Sequence, residues 1–256
     1  MSRSVGFDLT VLKLGGSVLT DRQAYRGAAA FLASRVAGTA SKLLVVVSAE
    51  LGHTDALLDE ARSLSARPDT AALDLLWSTG ELRSVALLTL ALEAAGVSAV
   101  GLNAHEAGLR AEDTGSIFPR SDRRNTPRVF SLLLRASLAR HAVVVVPGFL
   151  ATARQRLITL GRGGSDLSAV ALAAALGATR LELIKDVDGY FTADPHVDPS
   201  ARLIPRLHVD DALQLADAGC PLVQRQAVVA AREAGLPLVV RSLTSAGTVV
   251  GAELRT

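Results

Sequence analysis

The segment from Gly161 to Asp194 combines residue types that could hold a polyphosphate. It opens with GRGGSD (161–166), in which three glycines let backbone N–H groups approach an anion closely. A helical pattern follows, and the N-terminus of that helix would add partial positive charge. The segment then crosses a predicted strand into KDVDG (185–189), whose acidic residues suit a metal-bridged phosphate or a ribose. This order favours a phosphate site over the alternatives, which are a capped strand–helix turn and a simple Asp-Gly turn.

A second glycine loop follows the first predicted strand, TVLKLG (10–15). Lys13 stands in KLGGS (13–17), so a point charge precedes two adjacent glycines. A lysine at a strand end is more often a solvated surface group, but open α/β sheets bind ligands at the carboxyl ends of their strands, so both interpretations of Lys13 stay open. Arg162 could bind a carboxylate through its planar guanidinium. Glu81, in STGELRS (78–84), could bind an ammonium group, and the alternative is a charge near a helix N-terminus.

Composition excludes several classes of protein. Apolar residues make up 49% and charged residues 20% of 256 residues, which is typical of a globular protein. The net charge of +2, without a run of basic residues, argues against a nucleic-acid partner. Cys220 is the one cysteine, and the five histidines lack the spacing of zinc ligands. We see no signal-peptide core and no apolar run of ~18 residues, so we expect a cytoplasmic protein without a membrane segment.

Apolar runs alternate with helical patterns along the chain. The runs at 43–48, 97–102 and 141–149 are typical of strands covered on both faces. Further strands are predicted at 10–15, 157–161, 180–184 and 237–241, and helices at 28–40, 55–66, 69–95, 130–140, 165–177, 209–217 and 223–234. This alternation predicts an α/β fold with a mostly parallel sheet and helices on both faces. No linker interrupts it, so we expect one continuous domain, 1–256, with a soft boundary near residue 150.

In chain order, these motifs resemble the amino acid kinase family, and within it the catalytic domain of aspartokinases. The segments are KLGGS (13–17), VVVSA (45–49), STGELRS (78–84), VVPGF (145–149), TLGRGGSD (159–166) and DVDGYFTADP (186–195). The last two together are more specific than any single segment, and the match covers nearly the whole chain. The resemblance implies an open three-layer αβα sandwich of the carbamate kinase type. It also implies an acid-substrate lobe, 1–150, and a nucleotide lobe, 151–256, within the one domain.

The resemblance further implies an ATP-dependent kinase that phosphorylates the carboxylate of a small amino acid, aspartate foremost, to give an acyl phosphate and ADP. ATP and Mg²⁺ are the implied cofactors, with Mg²⁺ held through the ATP phosphates and not by a metal site of the protein. Lys13 would neutralise charge on the transferred group, and Asp166 would orient Lys13. The implied phosphate-binding residues are Gly15, Gly16, Ser17, Gly163 and Gly164; the substrate-binding residues are Ser48, Thr54, Glu81 and Arg162; the nucleotide-binding residues are Lys185, Asp186, Tyr190, Phe191, Asp194 and Arg225.

The sequence departs from the aspartokinase pattern at several positions. Lys185 stands where the family usually has Thr, and His196 stands where it usually has Arg. The usual Tyr aligns with Phe191, one place after Tyr190. Pro221 occupies the position of a phosphate-contacting lysine in the late helix. Either Lys185 or Arg225 supplies the missing charge, or catalysis is weak or lost.

Three functions therefore stay open. The first is an aspartokinase-like kinase, for which we expect no feedback inhibition by lysine or threonine because the regulatory domains of many aspartokinases do not follow Thr256. The second is a kinase of the same fold for another carboxylate or for a phosphate acceptor, which several arginines of the N-terminal half leave open (Arg110, Arg120, Arg123 and Arg124). The third is a non-catalytic nucleotide-binding protein. A homo-oligomer also stays open, since the apolar helix face at 85–95 suits an interface or a core.

Overall fold

The computed structural model describes residues 8–111, 128–129, 131–161, 163–195, 197–219 and 222–251. Several residues singled out in the sequence lie outside the described ones, namely Arg120, Arg123, Arg124, Arg162, His196, Cys220 and Pro221.

Strands and helices alternate along the described chain. The first half contains β1 (Leu9–Leu14), α1 (Arg22–Val36), β2 (Lys42–Val47), α2 (His53–Leu64), α3 (Thr70–Ala94), β3 (Ala99–Gly101), β4 (Leu109–Arg110), β5 (Arg128–Val129), α4 (Leu132–Arg140) and β6 (Val143–Pro147). The second half contains β7 (Leu150–Ala153), β8 (Arg156–Thr159), α5 (Gly164–Leu176), β9 (Arg180–Ile184), β10 (Arg206–His208), α6 (Val209–Asp217), α7 (Arg225–Glu233), β11 (Leu238–Arg241) and β12 (Thr248–Gly251).

One large sheet runs through the centre of the molecule in the order β10-β12-β11-β9-β1-β2-β6-β3. All described neighbours are parallel except β11 and β12. Strand β1 lies between β2 and β9, so the sheet joins strands from both halves of the chain. A second sheet has the order β5-β4-β7-β8. The mostly parallel sheet predicted from the sequence is thus confirmed.

Helices cover both faces of the large sheet, because its central strands are apolar on both sides. One hydrophobic core joins α1 and α3 to the sheet through residues such as Leu32 and Leu88. The other core lies on the opposite face and includes Leu134 of α4, Leu172 of α5 and Val228 of α7. The architecture is therefore a three-layer αβα sandwich, as the resemblance implied.

Element boundaries follow local signals that the sequence pattern captured only in part. Helix α1 begins much earlier than predicted, because Asp21 caps it by accepting the N–H of Ala24 at 2.8 Å. Strands β7, β10 and β12 were not predicted. Strands β7 and β8 form a hairpin whose turn residues, Arg154 and Gln155, have φ values of 47° and 64°. Such turns usually contain Asn or Gly, and neither residue type marks this hairpin.

Helix α3 is long and apolar enough, by length and composition alone, to cross a membrane. Three of its features belong to a core helix. It packs on the large sheet through Leu88 and Leu92, and it carries two buried carboxylates, Asp74 and Glu81. Both carboxylates accept hydrogen bonds from other segments of the chain. A buried helix of a globular fold explains all three.

Candidate active site

The site lies where four parallel strands end. Strands β9, β1, β2 and β6 are neighbours in the large sheet, so their carboxyl ends share one edge. The residues that follow these ends are Lys185, Gly15, Ser48 and Gly148. The sequence predicted three of them as ligand-binding residues, and the fold brings these three together. Ligands of open α/β sheets bind at this edge.

Asp166 is the centre of a charged cluster at this edge. Its carboxylate is buried, and its Oδ1 lies 2.9 Å from Nζ of Lys13. The other oxygen, Oδ2, lies 3.1 Å from Nζ of Lys185. Lys185 also reaches Oδ1, at 3.5 Å, so both lysines share this carboxylate. The geometry fits the expectation that Asp166 orients Lys13, and it adds Lys185 to the same cluster.

The cluster changes the proton affinity of its members. Burial alone would raise the pKa of Asp166, but the charges and hydrogen bonds of Lys13 and Lys185 hold that pKa below its ordinary value. Burial lowers the pKa of Lys185, Asp166 opposes this effect, and the like charge of Lys13 adds to it. Asp166 is therefore ionised at neutral pH, and it neutralises only one of the two ammonium groups beside it.

The first glycine loop lies against the loop that follows β2. A Cβ atom on Gly16 would lie 2.4 Å from the carbonyl oxygen of Ala49, so no larger residue fits there without a backbone shift. The carbonyl of Gly16 accepts the N–H groups of Leu19 and Leu51, each at 3.2 Å. A Cβ on Gly15 would lie 3.4 Å from Nζ of Lys13. The loop therefore runs directly beside the lysine, as an anion-binding loop must.

The second glycine loop leads into α5. Gly163 is the N-cap of this helix with a φ of 80°, and no side chain caps it. The alternative in which Ser165 or Asp166 caps the helix is thus wrong, since both lie in its first turn. A Cβ on Gly164 would meet Cβ of Leu160 at 2.5 Å. The helix N-terminus keeps its backbone N–H groups free of a side-chain cap, and partial positive charge accumulates there.

A mostly apolar pocket of about 530 Å³ opens next to these loops. It is lined by Ser48, Ala49, Thr54, Asp55, Leu58, Arg62, Trp77, Glu81, Phe149, Thr159, Gly161, Gly163 and Ser165. Ser48 and Ser165 join its two sides through a hydrogen bond of 3.0 Å between their hydroxyls. Trp77 and Phe149 meet edge to face, with ring centroids 6.3 Å apart. The pocket thus has an aromatic wall and a polar wall, as is typical of sites for small molecules.

Glu81 is buried at the base of this pocket, with 2% of its surface exposed. It lies in the middle of α3, so the alternative of a charge near a helix N-terminus is wrong. Its carboxylate accepts the N–H of Ala49 at 2.7 Å, of Phe149 at 3.1 Å and of Gly148 at 3.2 Å. Burial raises the pKa of Glu81 to about 7, although these N–H groups and Lys13 act in the opposite direction. A cation that entered the pocket would stabilise the ionised form.

The segment after Lys185 contains the predicted nucleotide-binding residues. Asp186 and Asp194 are exposed, and Phe191 is half-buried. Tyr190 belongs to the hydrophobic core, with 3% of its surface exposed, which favours the core packing that the sequence left open. Asp188 anchors the turn, because it accepts the hydroxyl of Ser242 at 2.5 Å.

Arg225 opens α7, and its Nε donates to Asp217 at 2.7 Å. More than half of each of the two side chains is exposed. The structure therefore ties Arg225 to a surface carboxylate, whereas it brings Lys185 to Asp166.

The sequence analysis missed several residues of the site. Trp77 lines the pocket and donates its indole N–H to the carbonyl of Thr54 at 3.1 Å. Asp74 accepts both the N–H and the hydroxyl of Thr159, at 3.0 and 2.8 Å. Asp74 is a second carboxylate on the apolar helix α3, about two helical turns before Glu81, and that was the signal available in the sequence. Arg62 lines the pocket from α2. That helix carries several charged residues, so the position of Arg62 among them did not indicate a binding site.

No group of three or more metal-ligating side chains occurs in the described part of the chain. The side chain of Asp166 is already paired with two lysines. These residues fit a divalent ion that arrives on a nucleotide and is held through its phosphates.

The fold and the site together define an α/β protein with a buried Lys13–Asp166–Lys185 cluster at the carboxyl ends of its parallel strands and a pocket beside it. A model of the amino acid kinase family matches residues 8–242. The chain therefore belongs to the amino acid kinase family.

Curated relatives and a solved structure narrow the comparison. Aspartokinase of Thermus thermophilus is 38% identical over 252 residues, which cover 94% of this chain and 59% of the relative. Aspartokinase 2 of Bacillus subtilis is 36% identical over 249 residues, with 96% and 59% covered. A crystal structure of aspartate kinase from Synechocystis matches with a TM-score of 0.83 and 38% identity, over 95% of this chain and 40% of that one. The chain spans about three-fifths of the length of these two curated relatives.

Proposed function

We propose that this chain carries an ATP-dependent kinase activity that phosphorylates the side-chain carboxylate of aspartate, giving an acyl phosphate and ADP. The observation that carries the proposal is the buried Lys13–Asp166 pair, 2.9 Å apart, beside two glycine loops and next to a pocket with a buried glutamate. The similarity to aspartokinases supports the choice of acceptor.

The acceptor would occupy the pocket between Ser48, Thr54 and Glu81. Aspartate carries one ammonium group and two carboxylates. Glu81 would bind the ammonium group, and the hydroxyls of Ser48 and Thr54 would bind a carboxylate. Arg162, which lies outside the described residues, is proposed as the partner of the second carboxylate. The acid-substrate lobe, 1–150, and the nucleotide lobe, 151–256, are part of the same proposal, as is a cytoplasmic location.

The transfer needs positioning and charge stabilisation more than acid–base chemistry. A carboxylate oxygen of the acceptor forms a bond to the γ-phosphorus of ATP while the bond to the β–γ bridging oxygen breaks, and ADP leaves with that electron pair. No proton moves, because the attacking oxygen is already ionised. Lys13 would donate hydrogen bonds to the transferred group, and the two glycine loops, at 15–16 and 163–164, would line the phosphates. Mg²⁺ on the phosphates would neutralise further negative charge.

The test is ADP release from MgATP with aspartate, glutamate, N-acetylglutamate or UMP, in the presence of hydroxylamine to trap an acyl phosphate. We expect aspartyl hydroxamate from the wild-type protein and its loss in Lys13→Ala. Lys42→Ala is the matched control, since Lys42 begins strand β2 at the opposite edge and donates to the carbonyl of His141 at 3.0 Å. ADP release that depends on UMP and yields no hydroxamate would overturn the proposal in favour of a phosphate acceptor. ATP binding without turnover on any acid would favour a non-catalytic role.

A further inference from the structure

Lys185 lies beside the Lys13–Asp166 pair and has no role in the transfer step proposed above. It directly follows the last residue of β9, and only 14% of its side chain is exposed. Its Nζ lies 3.1 Å from Oδ2 of Asp166, whose Oδ1 lies 2.9 Å from Nζ of Lys13. The two lysines therefore contact one carboxylate at the edge of the sheet where ligands bind.

The two lysines share one carboxylate in direct contact. Both bond to Asp166, and all three side chains are largely removed from water. Two further carboxylates act on them electrostatically, Glu81 on Lys13 and the exposed Asp186 on Lys185. An uncompensated charge in such a place is costly unless a ligand neutralises it. The N–H of Gly15 donates to the carbonyl of Ile184 at 3.4 Å, so the first glycine loop is joined to the residue that precedes Lys185. An anion held by this loop would lie beside both lysines.

We propose that Lys185 is a second phosphate-contacting residue, which receives the γ-phosphate of ATP together with Lys13. This inference rests on the proposed function and deepens it. Asp166 holds both ammonium groups in place before the nucleotide arrives, and both then donate hydrogen bonds to oxygens of the transferred group. Lys185 gives no proton and forms no bond to phosphorus, so the balance of the transfer step is unchanged.

Lys185 fits this role better than Arg225, the other cation of the C-terminal half that the sequence offered. The guanidinium of Arg225 is bound to Asp217 at 2.7 Å on the surface, whereas Lys185 shares Asp166 with Lys13. In the family pattern, a lysine of the late helix carries this charge. Here Lys185, which follows the last residue of β9, supplies it.

The experiment measures two affinities by calorimetry. One is for MgADP, and the other is for the Mg²⁺ complex of AMP-PNP, a non-hydrolysable analogue of ATP. The variants are Lys185→Thr, which restores the usual residue of the family pattern, and Lys185→Arg, which keeps the charge. Lys42→Thr is the matched control on the opposite edge of the sheet. We expect Lys185→Thr to weaken AMP-PNP at least about tenfold and ADP less than about threefold, because a charge-assisted contact to the γ-phosphate is lost. Lys185→Arg should recover most of this loss, and Lys42→Thr should change neither affinity.

Equal weakening of ADP and AMP-PNP, or no weakening of either, would overturn the inference. A lower melting temperature without discrimination between the two nucleotides would also overturn it, because it would show a purely structural lysine. Turnover adds a second readout: kcat should fall on the order of 10²-fold in Lys185→Thr while KM for the acceptor stays within about threefold. The binding measurement needs no acceptor, so a failure of the proposed function, seen as absence of hydroxamate in the wild type, is separate from a failure of this inference.

Discussion

Ionisation of Glu81 should make the stability of the protein depend on pH. Burial raises the pKa of this carboxyl from its ordinary value of 4.5 to about 7. Between these two values the folded protein keeps a proton that the unfolded chain has lost. The stabilisation is therefore complete below pH 4.5 and is lost as the pH rises through 7.

The magnitude follows from the same two pKa values. Between pH 5 and pH 8, the free energy of unfolding should lose about 2.5 kcal/mol through this one group. Most of that loss should occur below pH 7, because the folded carboxyl has half ionised there. Glu81→Gln removes the titrating group and keeps one acceptor oxygen, which at the place of Oε2 would still accept the N–H groups of Gly148 and Phe149. The amide NH2 would then face the N–H of Ala49, and the cost of that lost bond does not change with pH.

The assay is urea denaturation of the wild type and of Glu81→Gln at pH 5, 6, 7 and 8. The difference between the two proteins isolates Glu81 from the other groups that titrate in this range. We expect the advantage of the wild type over the variant to shrink by about 2.5 kcal/mol from pH 5 to pH 8. A free-energy difference between the two proteins that stays constant from pH 5 to pH 8 would contradict this prediction. It would show that Glu81 is ionised throughout this range in spite of its burial.

Two further predictions concern the glycine loop and the far face of the sheet. Gly16→Ala should destabilise the protein by ~1–3 kcal/mol in thermal unfolding, since its Cβ would overlap a facing carbonyl. Gly27 lies in open space on α1, so Gly27→Ala should stabilise the protein by ~0.5–1 kcal/mol. Equal effects of the two substitutions would contradict the role of close packing at Gly16. Burial alone would raise the pKa of Glu182. The hydrogen bonds and charge of Arg35, together with the charges of Arg180 and Arg241, hold that pKa below its ordinary value. Glu182→Gln should therefore cost on the order of 3 kcal/mol at pH 7 and less as the pH falls below about 4; a cost that grows on acidification would contradict this.

Much of the fold could be predicted from the sequence because its signals are local. The apolar runs of β2 and β6 are continuous, as strands buried on both faces must be, and β9 begins and ends where predicted. The hairpin of β7 and β8 was missed because its turn uses Arg154 and Gln155 in left-handed conformations instead of Gly or Asn. Such a turn is stabilised by the surrounding structure and leaves no mark in the local sequence.

The site was predictable where motif and strand end coincide. The sequence predicted a joint role for Lys13, Gly16 and Asp166 because glycines stand beside charged residues in both loops, and the structure places the three residues at one edge of the sheet. The pairing of Lys185 with Asp166 was not found, since it joins the end of β9 to the first turn of α5 and depends on the register of the sheet. The burial of Tyr190 likewise depends on the core beneath the turn, which residue type alone does not reveal.

Phosphoryl transfer to aspartate can be tested by the ratio of aspartyl hydroxamate to ADP in a reaction with MgATP, aspartate and hydroxylamine. We expect one hydroxamate for each ADP in the wild type. In Asp166→Asn, both should fall together by at least about 100-fold, because the lysines lose the carboxylate that positions them. Circular dichroism would establish that this variant is folded. ADP release without hydroxamate, or a folded Asp166→Asn protein with the wild-type rate, would contradict phosphoryl transfer to aspartate at this cluster.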